Sequence, residues 1–180
     1  MLITGKTLLA LKSFVKKNTL PDDKLSTVFY DGSGFLAATD SYQLVTIEAN
    51  YEELGDKPFS LDADIFNRIK GADNIEITDT CCKIGKWVIE HDFKEGRYLS
   101  HDSLKNLTYR EEETFEPGIY DPVYMENASK LAKAMGGFLK IVHAQNMIVF
   151  DIVYSSGVST GTRVAYMKKN LKGGRQNDYF

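Results

Sequence analysis

The sequence predicts an α+β fold of three strand–helix–three-strand units, with the helices on one face of antiparallel sheets. Two observations lead to this prediction. A pattern of apolar strand, helix-capping residue and amphipathic helix occurs three times, with starts about 60 residues apart, as expected for equivalent supersecondary units. Each helix is followed by short apolar stretches separated by turns that contain Gly or Asp, which is typical of antiparallel strands.

The first unit opens with the strand Leu2-Ile3, and Thr4 is expected to cap a helix from Gly5 to Lys17. A hairpin with the turn Asp31-Gly32-Ser33-Gly34 should follow. Its two strands are predicted over residues 25–30 and 35–39, and a further strand over residues 43–49.

The second unit opens with Phe59-Ser60-Leu61, and its helix is expected to run from the capping residue Asp62 to about Lys70. The third opens with Ile119-Tyr120 and is capped by Asp121. Pro122 then takes the first helical position, where its missing N–H is not needed, and the helix should end near Met135. The remaining strands are predicted over residues 74–78, 82–84, 87–93, 139–143, 147–154 and 162–167.

Composition narrows the class of protein. The 180 residues are 43% hydrophobic, which is enough for a real core. No apolar run is long enough to span a membrane, and the N-terminus lacks the layout of a secretory signal. Cys81 and Cys82 are adjacent and have no other partner, so we expect a reducing, cytoplasmic location. A net charge of −3 disfavours a surface coated with nucleic acid but allows a local basic patch.

Basic residues lie on the exposed side of all three predicted helices. They are Lys6, Lys12, Lys16 and Lys17 in the first helix, Arg68 and Lys70 around the second, and Lys130 and Lys133 in the third. One such helix is usually a solvated surface, and that interpretation stays open. Recurrence in three units favours a shared role in contacting phosphates.

The hairpin and its neighbours resemble a known family. The segment from Gly34 to Leu44 is similar to the Ala-Thr-Asp-Gly-His-Arg-Leu motif of bacterial β sliding clamps, the processivity factors of DNA polymerase III. Phe59-Ser60-Leu61, Gly71-Ala72-Asp73 and Ile75-Glu76-Ile77 follow at that family's spacing. Glu95-Gly96-Arg97-Tyr98 resembles the motif that closes its middle domain, and the stretch ending in Val164-Ala165-Tyr166-Met167 resembles its last half-domain.

The resemblance implies a sliding-clamp fold and a ring that encircles double-stranded DNA without catalysis. It also implies a tether for a DNA polymerase or other replication proteins. In that family, helices line the hole and their cations meet phosphates independently of sequence. The residues that match this role are Lys12, Lys16, Lys17, Arg68, Lys70, Lys130 and Lys133.

The chain departs from the family in length. Bacterial clamps have three domains of two units each, whereas this chain has one full domain over residues 1–108, half a domain over 109–172 and a tail over 173–180. A ring of twelve units would need four copies, and a ring of six would need two, so we expect a homo-oligomer. The short chain suggests a phage or mobile-element version, by analogy.

A second departure concerns a peptide-binding pocket. In the family the Ala-Thr-Asp motif helps to form a hydrophobic pocket for short peptides of partner proteins. Tyr42-Gln43 replaces its His-Arg pair here. The positions that match the pocket are Thr39, Tyr42, Leu44, Tyr166 and Met167.

The tail has two interpretations. Gln176-Asn177-Asp178-Tyr179-Phe180 follows a Gly-Gly hinge and is similar to the pentapeptides that bind clamp pockets, in which Gln comes first and two hydrophobic residues come last. The key residues would be Gln176, Asp178, Tyr179 and Phe180, and the target a neighbouring copy or a host sliding clamp. Alternatively, the aromatic end folds back on its own sheet. A clamp-fold protein that modulates a host clamp through this tail, without encircling DNA, is therefore the alternative function.

We expect no catalytic residue, no metal site and no cofactor. His91, His101 and His143 lack the spacing of a helical metal site, and Cys81-Cys82 has no second pair to complete a zinc site. The Asp31–Gly34 segment lacks the Lys-Ser/Thr of a phosphate-binding loop, and Asp40 is expected to hold a turn. An unrelated α+β enzyme would need a pocket with perturbed carboxylates or histidines.

Overall fold

The computed structural model describes residues 1–16, 25, 27–61, 63–93, 99–109, 118–144 and 147–168. These residues form two antiparallel sheets, as predicted. One has four strands in the order β1-β6-β7-β8, and the other has seven in the order β5-β2-β3-β4-β11-β10-β9. Among the described helices, none is long and apolar enough to cross a membrane.

The strands are β1 (Leu2–Thr4), β2 (Phe29–Tyr30), β3 (Phe35–Thr39), β4 (Gln43–Glu48), β5 (Phe59–Ser60), β6 (Asn74–Ile77), β7 (Cys81–Ile84), β8 (Trp87–Glu90), β9 (Phe138–Ala144), β10 (Met147–Val153) and β11 (Ser159–Met167). The helices are α1 (Gly5–Leu11), which continues as a 3-10 turn over Lys12–Phe14, α2 (Tyr51–Leu54), α3 (Ala63–Arg68), α4 (His101–Thr108) and α5 (Pro122–Ala134).

The first two units exchange the strands that precede their helices. Strand β1 of the first unit pairs with β6 of the second, with Ile3 opposite Ile75. Strand β5 of the second unit pairs with β2 of the first, with Ser60 opposite Phe29. Gly5 sits where the units meet, and its N–H donates to the Asp73 carbonyl at 2.8 Å. A Cβ at this position would overlap the Lys70 carbonyl oxygen, so the close approach requires glycine.

The third unit extends the sheet of the first unit. Strand β11 pairs antiparallel with β4, with Val164 opposite Val45 and Ala165 opposite Leu44. The chain therefore places the third unit beside the first, on the side away from the second, and helix α1 packs against α5.

The two faces of the seven-stranded sheet belong to different apolar clusters. Alternate strand residues such as Leu36, Val45 and Val164 pack against α1, α3 and α5 in the larger cluster. Their neighbours, such as Leu44, pack against Leu104 of α4 in the smaller one. We call the side that carries α1, α3 and α5 the helical face and the side that carries α4 the outer face.

Local signals for helix starts and turns are confirmed. The Thr4 side chain accepts from the Thr7 N–H and that of Asp121 from the Val123 N–H, as N-caps do. An oxygen of Asp31 accepts three backbone N–H groups in the first hairpin turn. Asp40 holds the next turn in the same way, through the N–H groups of Tyr42 and Gln43.

Several predicted boundaries are wrong. Helix α1 stops at Leu11 because the chain tightens into a 3-10 turn, where the Ser13 hydroxyl donates to the Ala10 carbonyl at 2.7 Å. The second helix ends at Arg68, and strand β2 is only two residues long. Ile119 and Tyr120 form no strand, and neither belongs to the two sheets that the described residues build. The cap predicted at Asp62 lies outside the described residues.

Candidate nucleic-acid interface

Three helices carry the predicted cations on the side turned away from the sheets. Leu8 and Leu11 of α1, Ile65 of α3 and Ala128 and Leu131 of α5 point into the core. The opposite side of these helices, together with the residues just after them, is exposed and basic. Its members are Lys12, Lys16, Arg68, Lys70, Lys130 and Lys133. The helical face therefore carries exposed cations from each of the three units, which favours the approach of an anion.

Lys12 connects α1 with α3, the helix of the second unit. It follows α1 in the 3-10 turn, and its Nζ lies 5.7 Å from the centre of the Phe66 ring of α3. At this distance the ammonium group is within range of a cation–π contact with the ring, while the Lys12 side chain is exposed. No ion pair to another described residue neutralises Lys12 or Lys16, so both charges are available.

Arg68 is positioned by two contacts. Its guanidinium group lies 4.5 Å from the Trp87 ring centre and 3.8 Å from the Asp64 carboxylate one turn earlier. Both side chains of the ion pair are solvent-exposed, and exposed pairs are weak. The charge of Arg68 is thus oriented by the ring and only partly compensated. Lys70 is exposed immediately after α3.

The cations of α5 differ from each other. The Lys130 Nζ lies 2.8 Å from an oxygen of Glu126, and this hydrogen bond lowers the pKa of that carboxyl group. Lys133 lies in the last turn of α5 and has no ion pair to any residue that the structure describes. We therefore expect Lys133 to attract an anion more strongly than Lys130 does.

A buried amide network fixes the orientation of α5 against the first unit. The Asn127 side-chain N–H group donates to Gln43 Oε1 at 3.1 Å and to the Ser13 carbonyl at 3.3 Å. The Gln43 amide donates to the same Ser13 carbonyl and to the Asp40 carboxylate. Because the two Asn127 bonds link residues more than 80 positions apart, the network holds α5 in one orientation beside the first unit.

The matched pocket positions cluster around the turn between β3 and β4. The Tyr42 carbonyl accepts from the Met167 N–H at 2.9 Å, and Gln43 lies opposite Tyr166 in the β4–β11 ladder. Thr39, Leu44 and Tyr166 are at most 1% exposed, because the sheet and its two helical layers cover them. Tyr42 and Met167 reach the surface at this end of the ladder.

Some site predictions lie outside the described residues. These are Lys17 and the tail residues Gln176, Asp178, Tyr179 and Phe180. The side chain of His143 is also outside the described part of the chain.

Two features were missing from the predicted DNA-contacting residues and helices, one on the helical face and the other on the outer face. Lys6 is exposed on α1, on the same side as the other cations, and its helical-wheel position already indicated this. Helix α4 was not predicted. Its Ser100 cap accepts from the Ser103 N–H, and His101 Nδ1 lies 2.9 Å from the buried Asp31 carboxylate. That contact spans 70 residues, so no local pattern indicates it.

The histidines and cysteines form no metal site within the described ranges, where no three His, Cys, Asp or Glu side chains come together. His91 stacks on Phe59 with ring centres 3.9 Å apart, and its Nε2 lies 2.9 Å from the Thr78 carbonyl oxygen. Desolvation by burial lowers the pKa of His91, which favours the neutral ring. Burial likewise raises the pKa of the Cys82 thiol to about 12.

Solved structures with this arrangement are bacterial clamps. The chain is similar to the DNA polymerase III β subunit of Thermotoga maritima, with 9% identity and a TM-score of 0.59, over 97% of this chain and 65% of that one. For the Caulobacter crescentus pol III β, the identity is 12%, the TM-score 0.55 and the coverage 98% and 66%. For the DNA polymerase sliding clamp of Bacillus subtilis, the identity is 13% and the TM-score 0.55, over 95% of this chain and 64% of that one.

At this low identity the similarity shows the fold: the chain has the sliding-clamp fold, as the sequence predicted. The match spans slightly less than two thirds of the length of these proteins. No protein-family model and no curated protein matches the chain.

Proposed function

We propose that copies of this chain assemble into a ring around duplex DNA, with the helical face toward the DNA and the outer face toward solvent. The ring would hold replication or repair proteins on the DNA and would catalyse no reaction. The observation that carries this proposal is that all three unit helices pack their apolar sides into the core and leave their basic residues exposed.

The electrostatics of this face suit a sliding contact. Lysine and arginine side chains that meet phosphates bind without reading bases, so the protein can move along the duplex. With a net charge of −3 for the whole chain, attraction to DNA would be confined to the helical face. That confinement is what a ring needs if DNA is to stay in its hole.

The sheets supply a way to extend the wall of a ring. Within one copy, β4 and β11 already join two units edge to edge. The outermost strands of the described sheets include β8 and β9, which offer edges for further copies. Four copies would complete a ring of twelve units and two copies a ring of six.

The pocket and the tail would provide the attachment points. Tyr42 and Met167 are the surface residues of the matched pocket positions, and a partner peptide would contact them first. The tail residues Gln176 to Phe180 would engage such a pocket on a neighbouring copy or on a host clamp. Deletion of residues 176–180 should then change the mass of the particle or abolish capture by a bacterial clamp.

Retention on circular DNA tests the ring. The protein is incubated with nicked circular plasmid, together with a clamp-loading ATPase if spontaneous ring opening is too slow, and separated by gel filtration. We expect it to elute with the circular plasmid and to be lost when the plasmid is cut once. Equal retention on circular and linear DNA would indicate surface binding. No DNA association, combined with tight binding to a bacterial clamp, would favour the modulator function instead.

A further inference from the structure

The first two units complete each other's sheets by exchanging strands, whereas the third unit has no unit with which to do so within the described chain. Strand β1 pairs with β6, the first strand after α3, and β5 pairs with β2, the first strand after α1. Each of these two sheets is therefore completed by the strand that precedes the other unit's helix.

The third unit has the parts for this exchange but no partner. Strand β9 is the first strand after α5, and within the described residues it pairs with β10 alone. The segment Gly118–Tyr120 precedes α5, as β1 precedes α1, yet it is irregular. Within the described residues, the outer edge of β9 has no neighbouring strand, and the Gly118–Tyr120 segment has no strand to pair with.

Apolar side chains are exposed in this unit. Ile141 lies opposite Phe150 and faces the same side as the core, but it is 47% exposed. Its counterparts in the completed sheet, Ile75 and Ile77, are fully buried. Ile119, Val123 and Phe138 are also more than half exposed. Ile141 is thus an apolar position on the core side of the sheet that the described residues leave half exposed, as expected for an edge that a partner covers.

We propose that the third units of two copies complete each other by reciprocal strand exchange, in which the Gly118–Tyr120 segment of each copy pairs antiparallel with β9 of the other. A twofold axis relates the two copies, so one contact completes both third units. A second copy is the occupant because it alone brings both the missing strand and the missing edge. In the proposed ring, on which the role of this exchange rests, the edge of β9 and the Gly118–Tyr120 segment are the surface that joins copies.

The pairing within the chain predicts the register between copies. Thr4, the cap of α1, lies opposite Asn74, and Leu2 lies opposite Glu76. The first core-facing residue is Ile75 in β6 and Leu139 in β9, since Leu139 lies opposite the buried Ile152. Counting from the cap Asp121, Tyr120 should therefore lie opposite Leu139 of the other copy.

This register brings complementary groups together. Ile119 should lie opposite Lys140, and Asp121 opposite Phe138, all on the outer side of the sheet. The Asp121 carboxylate of one copy is then diagonal to Lys140 of the other, within reach of an ion pair. Ile119 is diagonal to Phe138, so each apolar side chain covers the other. Two copies would thus form a continuous arc of six units in the order second, first, third, third, first, second.

Disulfide trapping tests the register without DNA. One preparation carries Ile119→Cys and a second carries Lys140→Cys, both with Cys81→Ser and Cys82→Ala. Opposite residues of an antiparallel pair are close enough for a disulfide. On mild oxidation of the mixture, we expect a disulfide-linked pair of chains. The matched control replaces Lys140→Cys with Glu76→Cys, whose strand is already paired with β1. A yield no higher than this control would overturn the inference.

The mass of the particle gives a second test. It is needed because the Lys140→Cys change in β9 could itself alter the disulfide yield. Ile141→Lys would place a charge in the paired edge, and we expect it to halve the mass measured by light scattering. Val158→Lys is the matched control, since Val158 is 62% exposed in the turn between β10 and β11. A wild-type mass of one chain, 20.3 kDa, or an unchanged mass for Ile141→Lys would contradict the exchange.

Failure of the ring function gives a different pattern of results. If the particle halves with Ile141→Lys but is never retained on circular DNA, the exchange stands and the DNA function is wrong. If retention is found and Ile141→Lys keeps both mass and retention, the ring is joined by other surfaces.

Discussion

Removal of two cations from the helical face should weaken DNA binding in proportion to the phosphates they contact. Lys12 and Lys133 are the best pair to change, because both are exposed and neither has an ion pair to another described residue. We expect the variant Lys12→Gln/Lys133→Gln to retain the fold, since neither ammonium group contributes to the core.

The size of the effect follows from counterion release. Each phosphate contact adds about 0.9 to the slope of log K against log salt, so two contacts per copy add about 1.8. Relative to a 1 M reference, this is about 1.5 log units at 0.15 M salt, or roughly a 30-fold loss of affinity for each copy in contact with DNA. Several copies would multiply the loss.

Fluorescence anisotropy of a labelled duplex at several salt concentrations measures both quantities. The matched control is Lys83→Gln/Lys105→Gln, which changes the net charge equally. Lys83 is on the sheet side away from the helical face and Lys105 is on α4. The control should bind DNA within about twofold of the parent, because long-range effects are screened beyond about 10 Å. Equal losses for the two variants would refute a DNA contact specific to the helical face.

Three further predictions concern single side chains. Glu126→Gln should release Lys130 for a phosphate contact, so DNA affinity at 0.15 M salt should rise up to about fivefold per copy, whereas an unchanged or lower affinity would contradict this role. Leu104→Ala should lower the free energy of unfolding in urea by about 2–4 kcal/mol, because it leaves a cavity between α4 and the sheet. An effect below about 1 kcal/mol would mean that α4 is not docked there. Protonation of His91 would charge a ring whose buried Nδ1 has no hydrogen-bond partner among the described residues. Because the pKa of His91 is lowered in the folded state, its stabilising contribution is present above its ordinary pKa of 6.5 and is lost as pH falls below that value. Unfolding measured from pH 7 to pH 5 should therefore show a smaller loss for His91→Gln than for the parent, and parallel curves would show that His91 is not responsible.

The sequence predicted those parts of the fold that local chemistry determines. Thr4 and Asp121 cap helices because the residues needed for the capping hydrogen bonds are adjacent in the chain. The Asp31 and Asp40 turns were also correct for this reason. Most strands were located because short apolar stretches are separated by turns that contain Gly or Asp.

Long-range pairing could not be predicted in the same way. The exchange of β1 and β5 and the place of β11 beside β4 join residues far apart in sequence, and no spacing rule specifies which edges meet. Helix α4 is short, and tertiary contacts such as those of Leu104 and His101 help to hold it in place.

The candidate site also has a part that local sequence predicts and a part that depends on long-range pairing. The exposure of Arg68, Lys130 and Lys133 followed from helical periodicity, because exposure on an amphipathic helix is a local property. Lys12, Lys16 and Lys70 are also exposed, but they lie beyond the α-helices to which the periodicity applies. The burial of Thr39, Leu44 and Tyr166 was not foreseen, because it depends on sheet pairing and on helices that arrive from distant segments. The role of the cations and of the pocket positions stays a prediction.

Electron microscopy of the protein with a short duplex tests the central claim most directly. We predict a closed ring with DNA in its hole, in which α1, α3 and α5 line the inner wall and the outer face points away. Particles that hold DNA against the sheets or against α4, or open particles with no DNA in a central hole, would contradict it.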